Sequence, residues 1–163
     1  MNTLPASSLT RLQSQYETVF QLLAEVDPVL LTRRPASGKW SIHENLAHIG
    51  TYQATFLARM QRMQVEDSPQ FTRYVADEDP TFAPMVARPP AEVQQAFREL
   101  RQPLLEYVTS LTPAQLARTA RHPVYGHLDG MAWVEFFLLH ETHHLFTMFR
   151  LLGAFSAPPQ VSA

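Results

Sequence analysis

The stretch from Met131 to Leu152, MAWVEFFLLHETHHLFTMFRLL, contains neither proline nor glycine and is flanked by Gly130 and Gly153. Apolar residues run nearly all the way round it at helical spacing, through Trp133, Phe136, Phe137, Leu138, Leu145, Met148, Phe149 and Leu152. That pattern belongs to a helix covered by neighbours on several sides. Into this surface the sequence sets His140, Glu141, His143 and His144. His140 and His144 lie four residues apart, which on an ideal helix is about 40° in azimuth and roughly 6 Å along the axis. They share a face and can close on one ion. A divalent metal takes neutral imidazole nitrogens at about 2.0–2.1 Å, and an apolar shell disfavours the protonated ring. Two imidazoles buried without partners carry a desolvation penalty that a single ion relieves.

Glu141 and His143 point about 100° to either side of that pair. Either can support the ligands, carry a proton near a metal, or lie at the surface; a carboxylate beside a metal can act as general base, which makes Glu141 the candidate catalytic residue. His140-Glu141-Thr142-His143-His144 also matches the five-residue zinc-protease signature. Those enzymes take a third ligand from downstream, and nothing after His144 is a histidine, aspartate or glutamate. The third ligand must therefore come from upstream.

The upstream chain offers three more long helices. Leu9, Leu12, Tyr16, Val19, Phe20 and Leu23 give an amphipathic helix over Ser8 to Val26, ended by Asp27-Pro28. Val29 to Lys39 reads as a connection broken by Pro35 and Ser37-Gly38. Ser41 and Glu44 have the spacing of a capping box, opening a second helix that runs to about Met63. Its inward set includes Leu46, Ile49, Phe56 and Met60, and with them His48, the best-placed third ligand. Tyr52, one turn on, shares the face of His48 and is expected to line a pocket with it. Gln64 to Pro90, with five prolines and the acidic run Asp77-Glu78-Asp79, reads as a long connection between helices two and three, with one helical turn near Phe71 to Val75. Such a loop is either a solvated crossover or the cover of a site. Ala91 to Ser110 forms the third helix, with Pro103 inside it, and Thr112-Pro113 caps a short helix to about Ala120. His122 to Gly130 reads as irregular, and His43, His122 and His127 as exposed. With no strand long enough for a sheet, the expected fold is an all-α four-helix bundle.

At 163 residues the chain suits one domain, residues 1–153, followed by a frayed proline-rich tail, 154–163. A hydrophobic content of 45% and charged content of 17% are those of a soluble protein, and no apolar run reaches membrane-span length. The net charge of −2 and absence of a basic cluster point away from nucleic acid and from anionic membranes. No secretory signal is evident, so a cytoplasmic location is expected. With no cysteine, thiolate ligands and a cysteine nucleophile are excluded.

Trp40-Ser41-Ile42 leading to Leu46-Ala47-His48, then Gly126-His127-Leu128, then His140-Glu141-Thr142-His143-His144, resembles the DinB-like family of damage-inducible proteins, which are unrelated to the translesion polymerase sharing that label. The resemblance spans nearly the whole chain. It implies a four-helix bundle of unusual helix order and a divalent metal, zinc or nickel foremost and iron or manganese next, on His48, His140 and His144, with water completing the shell. It also implies homodimers, with which the strongly apolar fourth helix agrees. Relatives of this kind include thiol-dependent transferases and an isomerase that use mycothiol or bacillithiol. Many carry a glutamine three residues after the last ligand, where this chain has Thr147. The expected activity is a metal-dependent transfer of a low-molecular-weight thiol to a small electrophile in a pocket lined by Tyr52, Phe136 and Phe137. The alternatives are a metal-dependent hydrolase attacking with hydroxide, Glu141 serving as base, and a noncatalytic metal-binding or stress-interaction module.

Overall fold

Each of the four long helices starts where a proline or a side-chain cap frees it to. The computed structural model describes residues 4–156. Helix α1, Ala6–Leu23, follows Pro5, and α3, Ile42–Val65, opens on the capping box: Glu44 N–H donates to Ser41 Oγ at 3.1 Å and Ser41 N–H to Glu44 Oε2 at 2.8 Å. Helix α5, Pro90–Ser110, has proline in its first turn, where no backbone donor is needed, and Pro103 inside it. Helix α7, Gly130–Ser156, is capped by Asp129, whose Oδ1 accepts from Ala132 N–H at 2.8 Å. A side chain at Gly130 would place Cβ 2.9 Å from the Leu116 carbonyl, so only glycine lets α7 start against that loop.

Neighbouring residues fix the direction of each helix. Ser8 and Arg11 meet Glu135, and Gln15 reaches the Leu138 carbonyl, so α1 and α7 run parallel. Ile42, Leu46 and Ile49 share one core with Val93 and Phe97, whereas Phe56, Met60 and Met63 share another with Leu104 and Val108. Helices α3 and α5 are therefore also parallel. Trp133 joins the cluster of Met60 and Met148 that of Leu46, which sets α7 antiparallel to α3. A parallel pair consecutive among the long helices needs a return crossover, and α3, with its 24 residues, is about 36 Å long. The proline-broken segment after Val65 supplies that return.

The crossover is more ordered than its sequence reads. Instead of a helical turn at Phe71 to Val75, the chain is extended there, because Phe71 N–H donates to the Arg121 carbonyl at 3.0 Å and Arg121 N–H to that of Pro69 at 2.9 Å. A 3-10 turn, Ala76–Glu78, and a short helix α4, Phe82–Val86, follow, with Phe71, Ala76, Phe82 and Met85 buried. Three further local readings change. Pro28–Thr32 is a helical turn, α2, capped by Asp27 rather than open connection. Helix α6 stops at Leu116, because Thr119–His122 (β1) pairs antiparallel with Gly126–Asp129 (β2) in a hairpin where irregular chain was expected. Strands of four residues are too short to show an alternation. Last, α7 passes Gly153 and continues to Ser156, drawing three residues of the expected tail into the bundle; the Arg33 guanidinium lies 4.9 Å over the Phe155 ring. The remainder of that tail, 157–163, lies outside the described residues.

The architecture is an all-α four-helix bundle with one small hairpin. Among the described residues no helix is long and apolar enough to cross a membrane.

Candidate metal centre

Antiparallel packing of α3 on α7 brings His48 opposite His140 and His144. The ring centroids are 4.9 Å apart for His48 and His140, 4.5 Å for His48 and His144, and 4.7 Å for His140 and His144. One ligating nitrogen from each lies within 4.8 Å of the others, and His48 Nε2 stands 2.9 Å from His140 Nε2. His48 and His144 are buried; His140 is half-buried. Burial, reinforced by the neighbouring imidazoles, pushes each of the three pKa values down to about 3, so the rings are neutral near pH 7.

The donor set fits a divalent ion. Asn45 Nδ2–H donates to the Ser41 carbonyl at 2.8 Å, which turns its Oδ1 toward His144 Nδ1 at 2.8 Å. That oxygen needs a proton on Nδ1, which leaves His144 Nε2 a bare lone pair. His48 and His140, facing each other through nitrogen, can share one proton between two lone pairs, and His48 Nδ1 is buried with no partner. Lone pairs converging in a buried site carry a desolvation penalty that an ion relieves.

The triad opens into a cavity of about 740 Å³. Trp40 forms one wall, its ring 5.0 Å from that of His48, and Tyr52 forms the floor, 4.7 Å from that of His140. The crossover lays Tyr74 over His48 at 5.5 Å; its hydroxyl donates to Asp79 at 2.7 Å, which anchors the crossover there. Phe136 and the hairpin residues His122 and Tyr125 close the far side, and His143 stands at the mouth.

A sequence model of the DinB superfamily matches residues 11–148. The chain belongs to the DinB superfamily. It is similar to YuaE of Bacillus subtilis (strain 168), an uncharacterized protein, with 29% identity over 131 residues, or 72% of this chain and 80% of that one. Among solved structures it is similar to YfiT from Bacillus subtilis, described as a probable metal-dependent hydrolase with an unusual four-helix bundle topology, at a TM-score of 0.78 and 15% identity over 93% of this chain and 87% of that one. TT2238, a four-helix bundle protein, aligns at a TM-score of 0.65 and 23% identity over 88% and 97% of the two chains.

The other residues singled out from the sequence of this DinB-superfamily chain divide between two sides of α7. Tyr52 and Phe136 line the cavity; Phe137 does not, being 1% exposed in the core and stacked on Phe56 at 4.4 Å. Glu141, one turn further along the side of Phe137, is also absent from the cavity wall. Its carboxylate takes a charge-assisted bond from Arg101 and another from Gln15 Nε2 at 2.9 Å, while Arg101 also donates to the Leu12 carbonyl at 3.0 Å. Burial raises the Glu141 carboxyl, opposed by the Arg101 charge and by the Gln15 and Gln53 amides. A carboxylate so engaged has no line to a ligand on His140.

Two histidines read as exposed are buried. His43 places Nε2 2.9 Å from the Val86 carbonyl, and His122 Nδ1 accepts from the Val124 and Tyr125 N–H groups at 3.1 Å each. His127 is exposed. Thr147 Oγ1 donates to the His143 carbonyl at 2.9 Å and lines a neighbouring groove rather than the triad. Of the residues not singled out, Asn45 had a signal, sitting one turn before His48 on the same face. So had Arg59, two turns beyond Tyr52 on α3; Tyr74 did not, since the crossover's path decides what it meets.

Proposed function

We propose that this protein is a metal-dependent transferase joining a small thiol to a small electrophile, with zinc or nickel on His48, His140 and His144. Three neutral imidazoles suit those ions better than they suit iron or manganese, which favour harder oxygen donors. The observation that carries the reading is the open triad at the base of a cavity from which Glu141, the expected hydrolytic base, is diverted into a buried pair with Arg101.

Held by His48, His140 and His144, such an ion would supply Lewis acidity that lowers the pKa of a bound thiol. The chain's own residues do the rest. Trp40, Tyr52 and Tyr74 pack round the ligand rings and keep bulk water from them. His143, exposed at the mouth with its ring 5.2 Å from that of His144, passes the sulfur's proton to solvent. The sulfur then forms its bond to carbon as the leaving group departs with the bonding electrons. The chain has no cysteine, so that sulfur arrives on the cosubstrate.

The test is a cobalt-substituted protein titrated with 2-mercaptoethanol, then assayed for thiol conjugation to monochlorobimane. A sulfur-to-cobalt charge-transfer band with turnover lost in His140→Ala supports the reading; a spectrum indifferent to thiol removes it. A second reading, a hydrolase with His143 as base, draws on the position of His143 at the cavity. Ester hydrolysis without thiol, lost in His143→Gln and kept in Glu141→Gln, would favour it.

Leu139, Phe146 and Phe149 project from the outer face of α7 at about 60% exposure. We infer that this face pairs two copies of the chain. Light scattering should give a dimer mass for the wild type and a monomer for Phe146→Glu, with metal content unchanged; a monomeric wild type ends the inference.

A further inference from the structure

The cavity beside the triad contains a cation without a counter-ion. Arg59 reaches in from α3, two turns beyond Tyr52, half-buried, with its guanidinium over the rings of Tyr52, Phe71 and Trp133 at 5.8, 5.4 and 5.9 Å. Its Nη1 donates to the Tyr52 hydroxyl at 3.1 Å and its Nη2 to the Thr72 carbonyl at 2.8 Å. Those neutral acceptors use part of its donor fork and none of its charge. Arg11, Arg34, Arg62, Arg98 and Arg101 each have a carboxylate within 4.0 Å; among the described residues Arg59 has none, nor has Arg73, which lies exposed on the same wall where Arg59 is half-buried. The charge is felt locally, lowering the pKa of His122 after the larger effect of burial.

A second donor stands nearby. His122 Nδ1 accepts two backbone N–H bonds, so the neutral ring carries its proton on Nε2 at the cavity wall. The acidic residue on the wall, Asp77, lies toward the opposite end, where its charge acts on Arg34. Aromatic rings make up much of the remaining wall: Trp40, Tyr74, Tyr125 and Phe136.

We propose that the cavity binds a small organic anion, its carboxylate held by Arg59 with His122 beside it and its apolar body against the aromatic wall, next to the triad. The proposal rests on the preceding reading for where chemistry occurs, and it adds the class of substrate. The single carboxylate completes the guanidinium's fork and removes the unpaired charge; a neutral isostere does neither.

The probes are phenylacetate and phenylacetamide, alike in shape and different in charge, titrated calorimetrically into the zinc-loaded protein. Phenylacetate should bind at least tenfold more tightly to the wild type. Arg59→Met, which keeps the aliphatic packing, should reduce that preference to under threefold with zinc content unchanged. Equal affinity in the wild type, or a tenfold preference surviving in Arg59→Met, overturns the proposal, the latter because the carboxylate would then be held by a cation other than Arg59. A measurement on the wild type needs no folded variant: phenylacetate should shift the Arg59 Nε–H resonance and phenylacetamide should leave it in place, and an unmoved resonance with phenylacetate also overturns the proposal. Failure of the thiol reading shows separately, in the cobalt spectrum with 2-mercaptoethanol, which carries no carboxylate.

Discussion

Helix α7 sets two polar centres back to back, and they solve burial in opposite ways. On one side His140 and His144 meet His48, and three neutral nitrogen donors converge. On the other, Glu141 meets Arg101, both 1% exposed, with Gln15 and the Leu12 carbonyl completing the set. Residues 140 and 141 are adjacent in sequence, yet the turn of about 100° between them places one on a cavity and the other in the core. The Arg101 pair is closed within the protein, whereas the triad could hold an ion. The first is a device of the fold, and the second is a site.

The sharpest way to break that contrast is to remove one member of each. His140→Ala should abolish stoichiometric zinc uptake, read by elemental analysis of tag-free protein, while the metal-free variant melts close to metal-free wild type. Zinc retained at one per chain would dissolve the triad. Glu141→Ala should do the reverse: a loss of about 3–5 kcal/mol in urea unfolding, from a buried guanidinium left without its partner, with zinc still bound by the folded fraction. A Glu141→Leu/Arg101→Met double variant should recover most of that loss. If Glu141→Ala instead removed zinc at full stability, the two centres would be one.

Acid separates them further. The triad pKa values lie at about 3 in the fold against 6.5 for the free ring. Between those values the unfolded chain holds protons that the folded triad does not, so stability falls as pH falls. The slope is on the order of 1.4 kcal/mol per pH unit for each ring so affected. Metal-free wild type should therefore lose stability below about pH 6.5 and His140→Ala should lose it less steeply, as followed by urea midpoints from pH 7 to 4. Parallel profiles would mean that the rings protonate freely in the fold.

The contrast between the two centres was only half legible in the sequence. The triad followed from two imidazoles four apart on an apolar helix and a histidine on the inward face of another. The sequence leaves Glu141 unplaced because helical angle gives direction and not destination: a residue 100° from a ligand can face a cavity, water or another helix. A signal for its partner was nonetheless present, since Arg101 interrupts the stripe of Phe97, Leu104 and Val108, an arrangement that needs a buried counter-charge. The four helices were readable from period and caps. The extended crossover and the hairpin were not: the crossover is held by backbone pairing with the hairpin across some fifty residues of sequence, and the hairpin's own strands are too short to show an alternation. Tyr74 consequently came to the site without a local signal.

Asn45 gives the smallest and most discriminating effect. It is 3% exposed and contributes nothing to the charge of either centre, but its oxygen fixes the proton of His144 on Nδ1 and so leaves Nε2 with a bare lone pair that an ion could take. Asn45→Ala should weaken zinc binding by about 10- to 100-fold, measured by competition with a chromophoric chelator. Asn45→Asp, which keeps an acceptor at the same place and makes the ring more basic, should bind zinc at least as tightly as wild type. A general packing defect would weaken both variants alike and would lower the stability of the metal-free protein by as much as it lowers affinity. A loss confined to Asn45→Ala, with metal-free stability little changed, would show that the fold spends a buried amide on orienting one imidazole, a use that makes sense only if an ion is to be held there.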